Sequence, residues 1–188
     1  MFENIIKNVH NRHPLIHCIT NYVSINDCAN IVLACGGAPI MAEDINEVSQ
    51  ITSICQGLDI NIGMLNDNKL SSMLKAGATA NELGIPVILD PVGAGSSDYR
   101  IKAVQNLMSN VQFGVIRGNV SEIKAIAAKQ GIHNIAAGVY DTMQKDKSAM
   151  GVEAGIADKI TDDNIKEMAD FINKLSQKTG AVIAVTGG

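Results

Sequence analysis

Candidate groups recur wherever a short apolar run ends: Asn21 after LIHCIT, Met41 and Glu43 after APIMA, Asp90 after PVIL, Arg117 to Glu122 after FGVI, and Thr186 after AVIAV. If those runs are parallel strands, the set collects at the C-terminal edge of an open α/β sheet, where ligands bind. The chemistry it suits is the handling of charge. A guanidinium ending an otherwise apolar strand calls for an anion, and the fork of Arg117 matches phosphate oxygens. Asp90 is followed by Pro91, which cannot extend a ladder. Its carboxylate either closes an Asx-type turn or faces a metal or a positively charged phosphate clamp. Asn119 and Glu122, three apart where a strand gives way to a helix, form the pattern of a capping box, which also sets a carboxylate and backbone N–H groups at the ligand edge. Asn21 either caps the next helix or binds a small polar ring, and Met41 reads first as core filler.

The stretch ILDPVGAGSSDYR invites a nucleotide-loop reading that two tests remove. A dinucleotide fingerprint requires a third glycine at position 98, which is Asp98, and a P-loop requires Gly-Lys, which occurs nowhere in the chain. A strand-end acid and a glycine turn remain. The four cysteines, Cys18, Cys28, Cys35 and Cys55, form no C-x-x-C pair and are expected as reduced, buried thiols. His10, His13 and His17 are interrupted by Pro14 and lack an acid at zinc-like spacing, so packing is their expected role.

The elements that must position these groups are legible as rhythm. LIHCIT, APIMA, LDINIG, PVILD, FGVIRG and AVIAVTG are strand-length apolar runs separated by helical stretches, the signature of a parallel sheet buried between helices. Leu70, Met73, Leu74, Gly77 and Ala80 predict one helical stripe, with Gly84 as its C-terminal stop. A second helix is predicted over Thr161 to Lys178, with Asp162 and Asp163 at its start and Ile165, Met168, Ala169, Ile172 and Leu175 facing inward. Residues 130–159 carry no clean period and are expected as a partly helical excursion with a mobile loop. With 188 residues, 46% of them hydrophobic, the chain is expected to form one domain around a single core. A net charge of −4 with 3% aromatics argues against a nucleic-acid partner. Ile31 to Ala42, the longest apolar run, is too short to span a bilayer. The charged and amide-rich start lacks the core of a secretory signal, so a cytoplasmic setting is expected.

Taken in order, PLIHCITNYV, GGAPIMAE, LDINIGML, ANELGIPVILDPVGAGSSDYR, VIRGNVSEI, MGVEAG and VIAVTGG resemble the hydroxyethylthiazole kinase family, within the ribokinase-like superfamily. The resemblance covers nearly the whole chain and fits least over 130–149. It implies a three-layer α/β sandwich with a largely parallel central sheet and helices on both faces. It also implies ATP-dependent phosphorylation of the hydroxyl of 4-methyl-5-(2-hydroxyethyl)thiazole, a step of thiamine synthesis and salvage, in a homotrimer whose sites lie between subunits. Asn21, Val23 and Met41 match the family's thiazole contacts, and Arg117 and Thr186 its ATP contacts. The Asn119-x-x-Glu122 pair matches the motif that organises magnesium and phosphates, so Asn119 is expected on the ATP side, and Asp90 and Glu122 on the metal side. The family's G-x-G-C turn, with its anion hole and cysteine base, is expected beyond Gly188. No cysteine here matches that base, and the 188 residues alone are therefore expected to turn over negligibly. Two alternatives stand beside this reading: a non-catalytic thiazole- or nucleotide-binding remnant, and a related kinase for another small alcohol.

Overall fold

A computed structural model describes residues 2–132, 160 and 164–186. In chain order it contains α1 (Phe2–Arg12), β1 (Leu15–Ile19), α2 (Ile25–Ala34), β2 (Ala38–Met41), α3 (Val48–Ser53), β3 (Gly57–Asn61), α4 (Asp67–Glu82), β4 (Val87–Asp90), α5 (Asp98–Asn110), β5 (Val115–Asn119), α6 (Val120–Lys129), α7 (Ile165–Thr179) and β6 (Val182–Thr186). All six apolar runs form strands. They make one sheet of order β2-β1-β3-β4-β5-β6, every neighbouring pair parallel.

That order fixes where the helices go. The chain steps from β1 to β2 in one direction, and every later step runs the other way. Right-handed crossovers therefore put α2 on one face and α3 to α7 on the opposite face. The contacts agree: α2 lies on β2, α3 touches α4, α4 touches α5, α5 touches α6, and α7 lies on β6. The reversal of direction between β1 and β3 opens a crevice at their C-terminal ends, the usual ligand position in such a sheet.

The main core lies under α3 to α7. Leu58, Ile60, Leu89 and Ile116 alternate toward it from the strands and meet Met73, Leu107, Ile123, Ile126 and Leu175. Truncating one of these to Ala costs about 2–5 kcal/mol. On the other face Ile88 and Val182 remain 41% and 63% exposed.

Local signals act as their chemistry dictates. Asn66 caps α4 by accepting the Lys69 N–H at 2.9 Å, and Gly84, at φ +68°, follows its C-cap Leu83. The predicted α4 stripe is found, with Met73, Gly77 and Ala80 buried and Leu70 and Leu74 half-buried.

Two expectations about the last long helix shift. The last long helix begins at Ile165, whereas Asp162 and Asp163 fall outside the described residues. Its buried face is Met168, Phe171 and Leu175, while Ala169 and Ile165 are exposed. The Phe171 ring removes far more apolar area from water than the Ala169 methyl, so the helix turns that way. The excursion expected at 130–159 also lies outside the description from residue 133 on, with the MGVEAG motif.

The thiols are free, but only Cys18 and Cys55 are buried. Cys35 is exposed, because it caps the C-terminus of α2 rather than pointing into it. Burial first, and then the charge of Asp59, push the Cys18 thiol up to about 12, so it stays protonated and unreactive. No helix among the described residues is long and apolar enough to cross a membrane.

Candidate active site

Parallel register brings the sequence-predicted residues into rows on the sheet face opposite the main core. Asn61 lies beside Asp90 across β3 and β4, Arg117 beside Ala184, and Asn119 beside Thr186. Asp90 and Arg117 meet across β4 and β5, with Nη1 at 3.2 Å from Oδ2. The arginine side chain is 52% exposed and the aspartate side chain 17%. The anion that Arg117 requires is thus supplied in part by the chain, with the rest of its fork open to solvent. Asp90 does not close an Asx-type turn. The turn after it is made by backbone bonds, Ala94 N–H to Pro91 O and Ser96 N–H to Gly93 O, each at 2.9 Å.

Asp90 is electrically unusual. Burial raises the pKa of its carboxyl, Arg117 pulls it down, and the negative charge of Glu122 pushes it up, for a net rise. Asn61 adds a weaker polar contact, and Oδ1 remains buried with no hydrogen-bond partner among the described residues. A buried, unpartnered carboxylate oxygen is costly unless something positive meets it.

The Asn119–Glu122 capping box is present. Asn119 accepts the Glu122 N–H at 2.9 Å, and Glu122 Oε2 accepts the Asn119 N–H at 2.8 Å. Glu122 Oε1 also accepts the Gly93 N–H at 2.8 Å. This one carboxylate therefore ties the start of α6 to the β4 exit loop, where Gly93 adopts φ +68°. Arg100 braces the same loop, donating from Nη1 to Ile62 O and Val92 O and from Nη2 to Gly63 O. At the sheet edge the Thr186 hydroxyl lies 3.4 Å from Gly118 O.

The second group sits at the β1/β3 crevice. Asn21 does not cap α2. Its Oδ1 accepts from the Ser24 N–H and hydroxyl, and its Nδ2 donates to Asn61 Oδ1 at 3.2 Å. A side chain at Gly63 would place its Cβ 2.9 Å from both amides, so that glycine permits the pairing. Val23 is 89% exposed beside this crevice, and Met41 ends β2, partly buried.

Sequence reasoning missed Lys69, Asn61 and Arg100. Lys69 is the most consequential: its side chain is 3% exposed, pairs with Glu43 Oε2 at 2.8 Å and donates to Thr20 O. The signal existed. Lys69 heads the stripe Ser72, Met73, Ala76 and Ala80, three and four residues apart on the buried face of α4.

Among the described residues no three His, Cys, Asp or Glu side chains gather as a ready metal cage. Magnesium does not need one, since it is commonly held by one or two carboxylates with water and phosphate oxygens. The unpartnered Oδ1 of Asp90 fits that requirement. Glu122, already holding two amides, retains lone pairs for a metal-bound water.

A parallel sheet between helices, whose C-terminal edge brings together Asp90, Arg117 and a capped helix start, defines an α/β sandwich of ribokinase-like type. The hydroxyethylthiazole kinase family model matches residues 6–188, and the chain belongs to that family. Among curated relatives, "Hydroxyethylthiazole kinase" of Clostridium acetobutylicum is 52% identical over 187 residues, covering 100% of this chain and 63% of the relative. The protein of the same name from Desulfovibrio desulfuricans is 45% identical, at 100% and 60% coverage. A solved structure, that of the hydroxyethylthiazole kinase protein from Pyrococcus horikoshii OT3, superposes with a TM-score of 0.78 at 30% identity, covering 98% of this chain and 59% of that one. The chain thus spans about 60% of the length of these relatives.

Proposed function

We propose that this chain, as a single ribokinase-like domain, works in ATP-dependent phosphorylation of the hydroxyl of 4-methyl-5-(2-hydroxyethyl)thiazole. The observation that carries the reading is the Asp90–Arg117 pair, with its unpartnered Oδ1, at the C-terminal edge of a family-matched sheet. Phosphoryl transfer asks a protein chiefly for positioning and neutralisation of charge. Arg117 and Thr186 bind ATP, and Asn119 holds the N-terminus of α6, whose N–H groups favour an anion. Magnesium, held by Asp90 and through water by Glu122, would neutralise phosphate charge. The crevice lined by Asn21, Val23 and Met41 takes the thiazole, a flat, weakly polar ring suited to one amide, an aliphatic wall and a soft thioether. The reading includes a homotrimer in which a neighbouring subunit covers Val23, 89% exposed in the single chain, and completes this crevice. The reaction is assigned to the cytoplasm, where ATP and magnesium are held.

Calorimetric titration with hydroxyethylthiazole, and with ATP in magnesium, tests both halves, and mass spectrometry of the alcohol product tests the transfer in a chain of the relatives' length. Saturable binding of both ligands and a product heavier by one phosphoryl group are expected. Tighter binding of a pyrimidine or pyridoxal alcohol than of the thiazole would move the assignment to another small-alcohol kinase.

A further inference from the structure

The chain holds a buried cation that none of the groups assigned above uses. Lys69 projects from the first turn of α4, and its ammonium reaches the exits of two other strands at once. It donates to the Thr20 carbonyl after β1 and pairs with Glu43 Oε2 after β2 at 2.8 Å. The ammonium also stands 4.8 Å from the centroid of the Tyr22 ring, within cation–π range, and the Tyr22 hydroxyl donates to Glu43 Oε1. Burial tends to raise the pKa of Glu43, but the hydrogen bonds from Lys69 and Tyr22 and the Lys69 charge outweigh it and leave the carboxyl below its ordinary value. The network therefore favours Glu43 as a carboxylate, bound to Lys69 and Tyr22 at once.

Its position gives it a purpose. Thr20 and Tyr22 flank Asn21, Tyr22 precedes Val23, and Glu43 lies two residues after Met41. Each residue assigned to the thiazole crevice is thus within two positions of a group that Lys69 contacts. A lysine that only filled a gap would not need three partners from two separate loops. A buried ion pair often adds little net stability compared with an apolar replacement, and its best-attested use is to fix one arrangement among several. Here the arrangement fixed is that of two loops which no backbone ladder joins beyond Met41.

We infer that Lys69 is a positioning residue of the alcohol pocket, locking the β1 and β2 exits together so that Asn21, Val23 and Met41 present one preformed surface. The inference rests on the kinase reading for the identity of the ligand, but not for the existence of the lock.

The test uses Lys69→Met, which keeps the stem and removes the ammonium, and Glu43→Gln, which removes the partner's charge and keeps its shape. Hydroxyethylthiazole affinity is expected to weaken about tenfold or more in each, since small misplacements of binding groups have effects of that size. ATP affinity should stay within about twofold, because no ATP-side residue touches the network. In ligand-free protein, amide exchange at residues 21–24 and 42–44 should accelerate while that of β4 holds. Unchanged thiazole affinity and unchanged loop exchange in both variants would overturn the inference. So would an equal weakening of thiazole and ATP, which marks general damage. If the unsubstituted chain binds no hydroxyethylthiazole, the ligand assignment fails, and the exchange comparison then decides on the lock alone. A poorly folded Lys69→Met leaves the decision with Glu43→Gln, whose partly exposed side chain is the milder site to alter.

Discussion

The two halves of the sheet's C-terminal edge are built on opposite plans. At the β1/β2/β3 end the polar groups are bound to one another: Lys69 to Glu43 and Thr20, Asn21 to Asn61 and Ser24, and His17 to Ala42 O at 2.8 Å. At the β4/β5/β6 end Asp90 keeps a buried oxygen unpartnered and Arg117 stands half in solvent. A neutral aromatic alcohol brings little charge, so its pocket gains most from being preformed. A nucleotide triphosphate with its metal brings several charges, and Asp90 and Arg117, though paired with each other, keep one carboxylate oxygen and part of a guanidinium fork to meet them. The contrast is what the proposed division of ligands between the halves rests on.

Removing the arginine breaks the contrast most sharply. Arg117→Ala is expected to weaken ATP binding about tenfold to a hundredfold, the size of a lost charge-assisted hydrogen bond, with thiazole binding nearly unchanged. Titration calorimetry of the variant checks this, and equal losses for both ligands would erase the division. The same substitution takes away the positive charge that restrains the Asp90 carboxyl, so its pKa, already raised by burial, should rise further. Carboxyl NMR reads that shift directly.

Glu122→Ala probes the mechanical link between the β4 loop and α6. It removes the acceptor for two N–H groups, that of Gly93 and that of Asn119 in the capping box, and should cost roughly 1–3 kcal/mol in urea unfolding. A loss confined to ATP binding with stability intact would show that the carboxylate acts on the ligand and not on the scaffold.

The smallest effect concerns pH at the preformed half. His17 is fully buried, and burial outweighs its bond to Ala42 O and the nearby Glu47, lowering its pKa. A lowered histidine leaves the unfolded chain binding more protons, so its contribution to stability is intact above about pH 6.5 and falls as pH drops below that value. Asp59, raised to about 6 by burial and by Asp90, works in the opposite sense: acidification through 6 relieves a buried charge and favours the folded state. The histidine effect is therefore read as a difference. Between pH 7 and 5, the unsubstituted chain should lose stability relative to His17→Gln, as read by urea unfolding of both proteins at each pH. No change in that difference would show that the folded ring binds protons as readily as the unfolded one, and a gain in relative stability would show that the fold favours the protonated ring.

Much of this edge was legible in the sequence. Strands buried in a parallel sheet read as short apolar runs, and the polar residues ending them are conspicuous because they break the pattern. The capping box was legible from a three-residue spacing. The Asp90–Arg117 contact was not, since it depends on β4 lying beside β5 in a particular register, which no local signal records. Lys69 was obscured for another reason: a lysine in the first turn of a helix ordinarily reads as solvated, and only its place at the head of a buried stripe separates it from that reading. Asn61 sits inside INIG, where an amide passes as a strand end until Asn21 and Asp90 are brought to it by pairing.

The central claim is that the open half is a site for magnesium and ATP, with Asp90 on the metal side. Calorimetric titration with ATP, with and without magnesium, in the unsubstituted chain and in Asp90→Asn, tests it most directly. Magnesium should tighten ATP binding by about tenfold or more in the unsubstituted chain, and that gain should largely disappear in the variant. An equal magnesium gain in both proteins would contradict the claim.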